Sequence, residues 1–319
     1  MSSTTRAFEA TRLPGNPIVH SELDASLGTN INGPSLIKVP DWIASPLGKY
    51  YLYFAHHHGR HIRMAYADSL SGPWRIFQGG TLQLRDTPAA SWSYRAHIAS
   101  PDVHVDDETR SIVMFYHGGY RLLRPRQATY VATSRDGLKF VSQRARLGMP
   151  YWRRFHWNGH YYAITMSGQL YRATNPLSGY RPGPALTLPG ARHAAVWIED
   201  GRLHLFFSRI GDAPERILAC HVDLSDDWMT WHPSKEHTLL FPREIYEGVR
   251  LTVCPSARGA VYERARQLRD PYVFMDERQL YMLYATAGEA GIAIAKLDPA
   301  ARAATIEANN VLERKHASS

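Results

Sequence analysis

Five times along the chain, a short apolar strand opened by a proline or a polar cluster is followed by a turn and then an aromatic-rich strand. Pro34-Ser35-Leu36-Ile37-Lys38-Val39 leads to Tyr50-Tyr51-Leu52-Tyr53-Phe54, and Pro101-Asp102-Val103-His104-Val105 leads to Ser111-Ile112-Val113-Met114-Phe115-Tyr116. Arg153-Arg154-Phe155-His156-Trp157 leads to Tyr161-Tyr162-Ala163-Ile164, and His193-Ala194-Ala195-Val196-Trp197 leads to Leu203-His204-Leu205-Phe206-Phe207. The fifth copy runs from Pro271-Tyr272-Val273-Phe274-Met275 to Leu280-Tyr281-Met282-Leu283-Tyr284. One such unit cannot bury both faces of its sheet, so the copies must pack on one another, and the period is that of propeller blades. The expectation is an all-β chain forming a five-bladed β-propeller. A two-sheet sandwich also yields alternating strands and turns, but it does not call for five similar units in one strand order.

Between the strands lie turn signals: Arg135-Asp136-Gly137, Trp157-Asn158-Gly159 and Glu199-Asp200-Gly201. No long segment carries a helical period with caps, and short helices are expected only around Asp41 to Ala44 and Asp226 to Met229. Residues 1–319 are read as one propeller domain without an internal boundary. Its closing strand and a frayed tail are placed from about Ala301 onward.

Composition narrows the function classes. The longest apolar runs, such as Tyr50 to Ala55, are strand-sized, far below the ~20 residues that a helix needs to cross a bilayer. Met1 to Leu13 lacks the apolar stretch of a secretory signal, so a cytoplasmic location is expected and no membrane partner. The net charge of +8 raises nucleic acid as a partner. The Arg and Lys residues are scattered through strand patterns without a basic run, which argues against it. Cys220 and Cys254 are too few for a disulfide framework and are read as reduced, partly buried thiols. No phosphate-binding Gly-rich loop, Gly-x-Ser-x-Gly elbow or His-Glu-x-x-His helix is present.

The heads of the repeats carry a resemblance. Asn32-Gly33-Pro34-Ser35-Leu36, together with Ala65-Tyr66-Ala67-Asp68-Ser69-Leu70-Ser71-Gly72-Pro73-Trp74, resembles the first blade of glycoside hydrolase family 43 and its relatives. Ser100-Pro101-Asp102-Val103 resembles their second-blade strand, and Arg269-Asp270-Pro271 the Arg-Asp-Pro element of several five-bladed glycosidase families. The resemblance implies the five-bladed fold, a carbohydrate substrate and glycosidase activity. The chain departs from the pattern at Gly33, where family 43 carries its catalytic base Asp.

Glycoside hydrolysis needs one carboxylate that activates water or attacks carbon and an acid that protonates the leaving oxygen. Asp102 and Asp270 stand at the heads of inner strands, where packing explains an Asp poorly. They are the expected funnel carboxylates. Glu215, flanked by Arg209 and Arg216, is favoured over Glu247 as the proton donor, with His193 and His97 as acids in place of Glu; the resemblance also includes enzymes that use a funnel His as acid. Asn32, Arg95, His97, Arg154, Arg192, Glu247 and Arg269 are candidate substrate holders, and Trp92, Tyr94 and Trp152 candidate stacking platforms. Adjacent residues of a strand alternate faces, so His56-His57-His58 is not expected to hold one ion. No cofactor is expected, and a structural ion in the central channel has no support in the sequence. Related five-bladed enzymes that are glycoside phosphorylases, and a carbohydrate-binding propeller without catalysis, are the rival readings. Oligomeric state is not encoded in any of these features.

Overall fold

Every residue of the strand Tyr50–Ala55 is buried, which a strand covered on one face only cannot achieve. The computed structural model, which describes residues 8–90, 95–119 and 127–300, shows how both faces are covered. The chain opens with β1 (Phe8–Arg12) and the short β2 (Val19–His20). Blade one is β3 (Asn32–Lys38), β4 (Tyr50–Ala55), β5 (His61–Ala67) and β6 (Arg75–Gln83). Blade two is β7 (Ile98–Asp106), β8 (Ser111–Gly118), β9 (Ala128–Ser134) and β10 (Val141–Ser142). Blade three is β11 (Arg153–Trp157), β12 (His160–Ile164), β13 (Gln169–Ala173) and β14 (Arg181–Ala185). Blade four is β15 (Ala191–Glu199), β16 (Arg202–Arg209), β17 (Ile217–Asp223) and β18 (His237–Leu240). Blade five is β19 (Arg269–Asp276), β20 (Gln279–Thr286) and β21 (Gly291–Pro299). Strands pair in sequence order within each blade, and the five sheets form a five-bladed β-propeller.

The core is divided into five, one packed cluster per blade interface. Tyr50, Leu52 and Phe54 face blade five and meet Tyr272, Leu283 and Ile294. The intervening Tyr51 and Tyr53 face blade two and meet Met114 and Tyr116. Val113 and Phe115 turn the other way, toward Trp152 and Tyr171 of blade three. Leu205 and Phe207 meet Tyr162 and Ile164, while Phe206 meets Met282 and Tyr284. Side chains alternate faces along a strand, so a strand between two blades must be apolar at every position. That is why these strands read as unbroken runs of Tyr, Phe, Leu and Met. The hairpin at Asn158-Gly159 has φ of 47° and 72°, the left-handed pair that tight two-residue hairpins require.

The ring closes differently from the sequence expectation. β1 pairs antiparallel with β21, from Phe8 opposite Pro299 to Arg12 opposite Ala295. The closing strand therefore comes from the N-terminal side, and residues 301–319 lie outside the described residues. Arg12 locks it: its Nε and Nη2 donate to the two carboxylate oxygens of Glu247 at 2.7 and 2.8 Å. Helical pieces among the described residues are single 3-10 turns. One, Trp228–Thr230, falls where a short helix was expected and is capped by Asp227, whereas Asp41 to Ala44 makes turns only. Cys220 is buried as expected, but Cys254 is exposed. No described helix is long and apolar enough to cross a membrane.

Candidate functional site

At the heads of three inner strands the chain repeats one local structure. Asn32-Gly33-Pro34-Ser35, Ala99-Ser100-Pro101-Asp102 and Arg269-Asp270-Pro271-Tyr272 each contain a register shift against the neighbouring strand. In each, the residue before the proline is left-handed, with φ of 60° at Gly33, 49° at Ser100 and 49° at Asp270. A bulge of this kind bends the strand and re-aims a side chain. Asn32, Ser100 and Asp270 accordingly line one central cavity of about 1130 Å³. Blade four adds Arg192 and His193 from its own bulged head, Ala191 to Ala194.

Asp270 and His193 meet on the wall of this funnel. Asp270 Oδ1 lies 2.8 Å from His193 Nδ1, off the line of an ideal hydrogen bond, and both side chains are largely buried. Burial resists ionisation of Asp270, but His193, Arg192 and Arg269 outweigh it and hold its carboxyl well below the usual carboxylate range. Tyr151 lies tilted against His193 with ring centroids 4.5 Å apart, and against His117 at 4.0 Å. Its φ of 65° is unusual for a bulky residue. Such strain persists only where surroundings enforce it, often at functional sites.

A second carboxylate, Glu289, lines the same cavity. Its Oε2 accepts from Asn30 Nδ2 at 2.6 Å and Asn32 Nδ2 at 3.0 Å, and its Oε1 from Arg269 at 3.1 Å. His57 Nδ1 stands 3.6 Å away. Burial raises the pKa of Glu289, and His57 and Arg269 bring it below the ordinary value. Below the floor, Arg269 Nε lies 3.0 Å from Glu215 Oε2, while Arg192 Nε donates to Glu215 Oε1 at 2.8 Å. Ser208 Oγ also donates to Oε1, at 2.6 Å. Glu215 is fully buried and is the anchor that fixes both arginines.

His97 and His117 line the same cavity. The carbonyl of Arg95 can only accept, so the 2.8 Å bond assigns the proton to His97 Nδ1 and leaves Nε2 to accept from Gln127 at 3.1 Å. Burial pushes His97 down and His117 well below the ordinary histidine value, which keeps both neutral near pH 7.

The expected site residues therefore separate into groups. The structure brings together Asp270, His193, Asn32, Arg95, His97 and Arg192 around the cavity, with Arg269 and Glu215 directly beneath. Asp102 does not line it. Its Oδ2 accepts the Arg154 N–H at 2.7 Å and contacts His104 Nε2 at 2.9 Å, tying blade two to blade three. Glu247 is sealed under the closing strand by Arg12, Tyr284 and the N–H groups of Arg243 and Glu244. Trp152 packs in the core between blades two and three, 5.1 Å from Tyr171. Arg154 lies over the Tyr161 ring at 5.2 Å, away from the funnel. Trp92 and Tyr94 lie outside the described residues. Not anticipated from the sequence were Glu289, Tyr151, His117, Arg146 and Arg258. All five lie at strand ends, in turns or in blade connections, where Glu, His and Arg are ordinarily solvated and give no signal.

Among known proteins, no protein-family model matches the chain. The uncharacterized protein R118 of Acanthamoeba polyphaga mimivirus is 33% identical, over 90% of this chain and 89% of its own. CoXyl43, a GH43 β-xylosidase/α-arabinofuranosidase from a compost microbial metagenome solved with xylotriose, superposes with a TM-score of 0.59 at 12% identity, covering 91% of this chain and 94% of that one. The GH43_1 enzyme of Xanthomonas citri complexed with xylotriose gives 0.58 at 14% identity, over 87% and 89% of the two chains. The catalytic domain of the Coprinopsis cinerea GH62 α-L-arabinofuranosidase gives 0.55 at 13% identity, over 92% and 97%. With Arg269-Asp270-Pro271 at the funnel head and five blades about one axis, the chain belongs to the same family as mimivirus protein R118, on the propeller fold shared with GH43 and GH62 glycoside hydrolases.

Proposed function

We propose that the funnel cleaves glycosidic bonds by hydrolysis, with the Asp270–His193 pair as its proton-handling centre. The carrying observation is the 2.8 Å contact between the two side chains on the wall of the central cavity. With Nδ1 against the carboxylate, Nε2 is the nitrogen left to give a proton to the leaving oxygen. Asp270 stabilises the imidazolium that must form first. Glu289 supplies the second carboxylate, held ionised by its neighbours and suited to the positive charge that develops at the anomeric carbon. Arg192, Arg269 and Glu215 hold the pair in place. The saccharides bound by the solved propellers, xylose and xylotriose, support a carbohydrate as ligand.

Phosphorolysis is the second reading. It is favoured by the funnel heads of blades one and two, Gly33 and Ser100, which offer no carboxylate to activate water. A turnover screen on aryl glycosides and plant and algal oligosaccharides, with and without phosphate, tests both. Phosphate-independent release that disappears in Asp270→Asn is the expected result. Release only with phosphate moves the reaction to phosphorolysis, and release untouched in Asp270→Asn removes the pair from the mechanism.

A further inference from the structure

We infer that the funnel takes a ligand carrying an oxyanion, drawn in by Arg146 and Arg258 together with Arg95 at the mouth; this rests on the saccharide reading of the same funnel and names its substrate class. Among the described residues, Arg95, Arg146, Arg192 and Arg258 line the cavity against Asp270 and Glu289. Both carboxylates are already compensated from within. Asp270 has His193 and Arg192 beside it, and Glu289 has Arg269 at 3.1 Å. Arg146 and Arg258 at the mouth are therefore surplus positive charge.

Both stand unclaimed. Among the described residues, no ion pair or hydrogen bond engages Arg146 or Arg258, and both are exposed. Exposed arginines are ordinary on a chain of net charge +8. These, however, come from separate connections and converge on one concavity. Arg95 precedes β7, Arg146 lies between β9–β10 and β11, and Arg258 lies in the long connection before β19. A cleft lined by one sign of charge focuses its field and concentrates the opposite ion. The planar guanidinium fork matches carboxylate, sulfate and phosphate oxygens two at a time. A neutral pentose chain offers hydroxyl acceptors but no charge to match this arrangement.

The oxyanion has two sources, a charged group on the saccharide or a separate inorganic ion, and the test separates them. Binding of trigalacturonate, xylotriose, inorganic phosphate and sulfate is measured by calorimetry at low and high NaCl. The proteins are the full chain and its Arg146→Ala/Arg258→Ala double variant. The expected result is that an oxyanion probe binds the full chain at least about tenfold more tightly than xylotriose, weakening by a similar factor in the double variant. Added NaCl also weakens it, since exposed charges are screened. The melting temperature of the double variant stays unchanged, because neither side chain has a partner to lose among the described residues.

If trigalacturonate shows this behaviour, the charge belongs to the saccharide. If phosphate or sulfate alone shows it, the charge belongs to a separate ion. Xylotriose binding as tightly as every oxyanion probe, or a double variant that binds like the parent, overturns the inference while leaving the saccharide reading intact. Oxyanions binding with no saccharide of either kind does the reverse, and no binding by any probe overturns both.

Discussion

The heads of blades two and five present the same four-residue structure and use their aspartates in opposite ways. In Ala99-Ser100-Pro101-Asp102 the acid follows the proline, and in Arg269-Asp270-Pro271-Tyr272 it precedes it. The left-handed position before the proline opens into the cavity, as Ser100 and Asp270 both do. The position after the proline stitches one blade to the next. Ser35 Oγ accepts the Val103 N–H at 2.8 Å, Asp102 the Arg154 N–H at 2.7 Å, and the Tyr272 hydroxyl donates to the Leu36 carbonyl at 3.3 Å. An offset of two residues around a proline thus decides whether a carboxylate faces the cavity or holds the ring together.

Mutating the two aspartates separates these roles. Asp270→Asn is expected to lower turnover by about 10³-fold, the scale on which a positioned acid–base group acts, read as turnover per folded molecule on the glycoside that the screen identifies. Asp102→Asn is expected to keep turnover within about threefold. Its melting temperature should fall by about 5 °C, because a buried pair with His104 and Arg153 loses its charge. Loss of turnover without loss of stability in Asp102→Asn would place the two aspartates back in one site.

Acid titration sharpens the contrast. Both aspartates have folded pKa values below the unfolded value of about 3.9. Their stabilisation is complete above that value and is lost as pH falls from it through the folded values. The buried neutral histidines act earlier. His97, His104 and His117 have folded values lowered from the ordinary ~6.5, so the unfolded chain takes up protons first and stability falls as pH drops below ~6.5. Thermal melts from pH 7.5 to 5 should show this decline, and His117→Gln should make it shallower. An unchanged slope would mean that His117 does not titrate on unfolding in this range. The smallest effect is expected at blade one. A Cβ added at Gly33 would lie 3.4 Å from Ser100 Cα, and Asp tolerates the left-handed conformation better than most residues. Gly33→Asp should therefore melt within about 3 °C of the parent, while its added negative charge weakens oxyanion binding several-fold. A collapse in melting temperature would show that the head of blade one, unlike that of blade five, admits only glycine.

Several features were legible because they repeat locally. The five aromatic strands announce themselves through two-sided burial, and the three proline-marked heads locate the funnel. Asp270 was legible as part of a proline-marked head, and His193 as the residue that opens the fourth repeat beside Arg192. Asp102 was misleading for the same reason: a strand-head Asp looks alike whether it faces the axis or the adjacent blade. Glu289 gave no warning, since it sits in the tight Ala287-Gly288-Glu289-Ala290 connection, where an acid is normally solvated. The closing strand was hidden because Phe8-Glu9-Ala10-Thr11-Arg12 is an edge strand with one buried face, and it lacks the aromatic run of the central strands. Glu247 was misplaced in consequence, since its partner Arg12 is 235 residues away along the chain.

By itself the sequence determined the strands and the five-fold repeat of their units, because side-chain alternation and turn chemistry act over a few residues. Only the tertiary structure decided which acids share a cavity, which strand closes the ring and where the surplus arginines gather. Those outcomes depend on contacts between blades far apart in the chain, and no local pattern encodes the angle at which one blade meets the next.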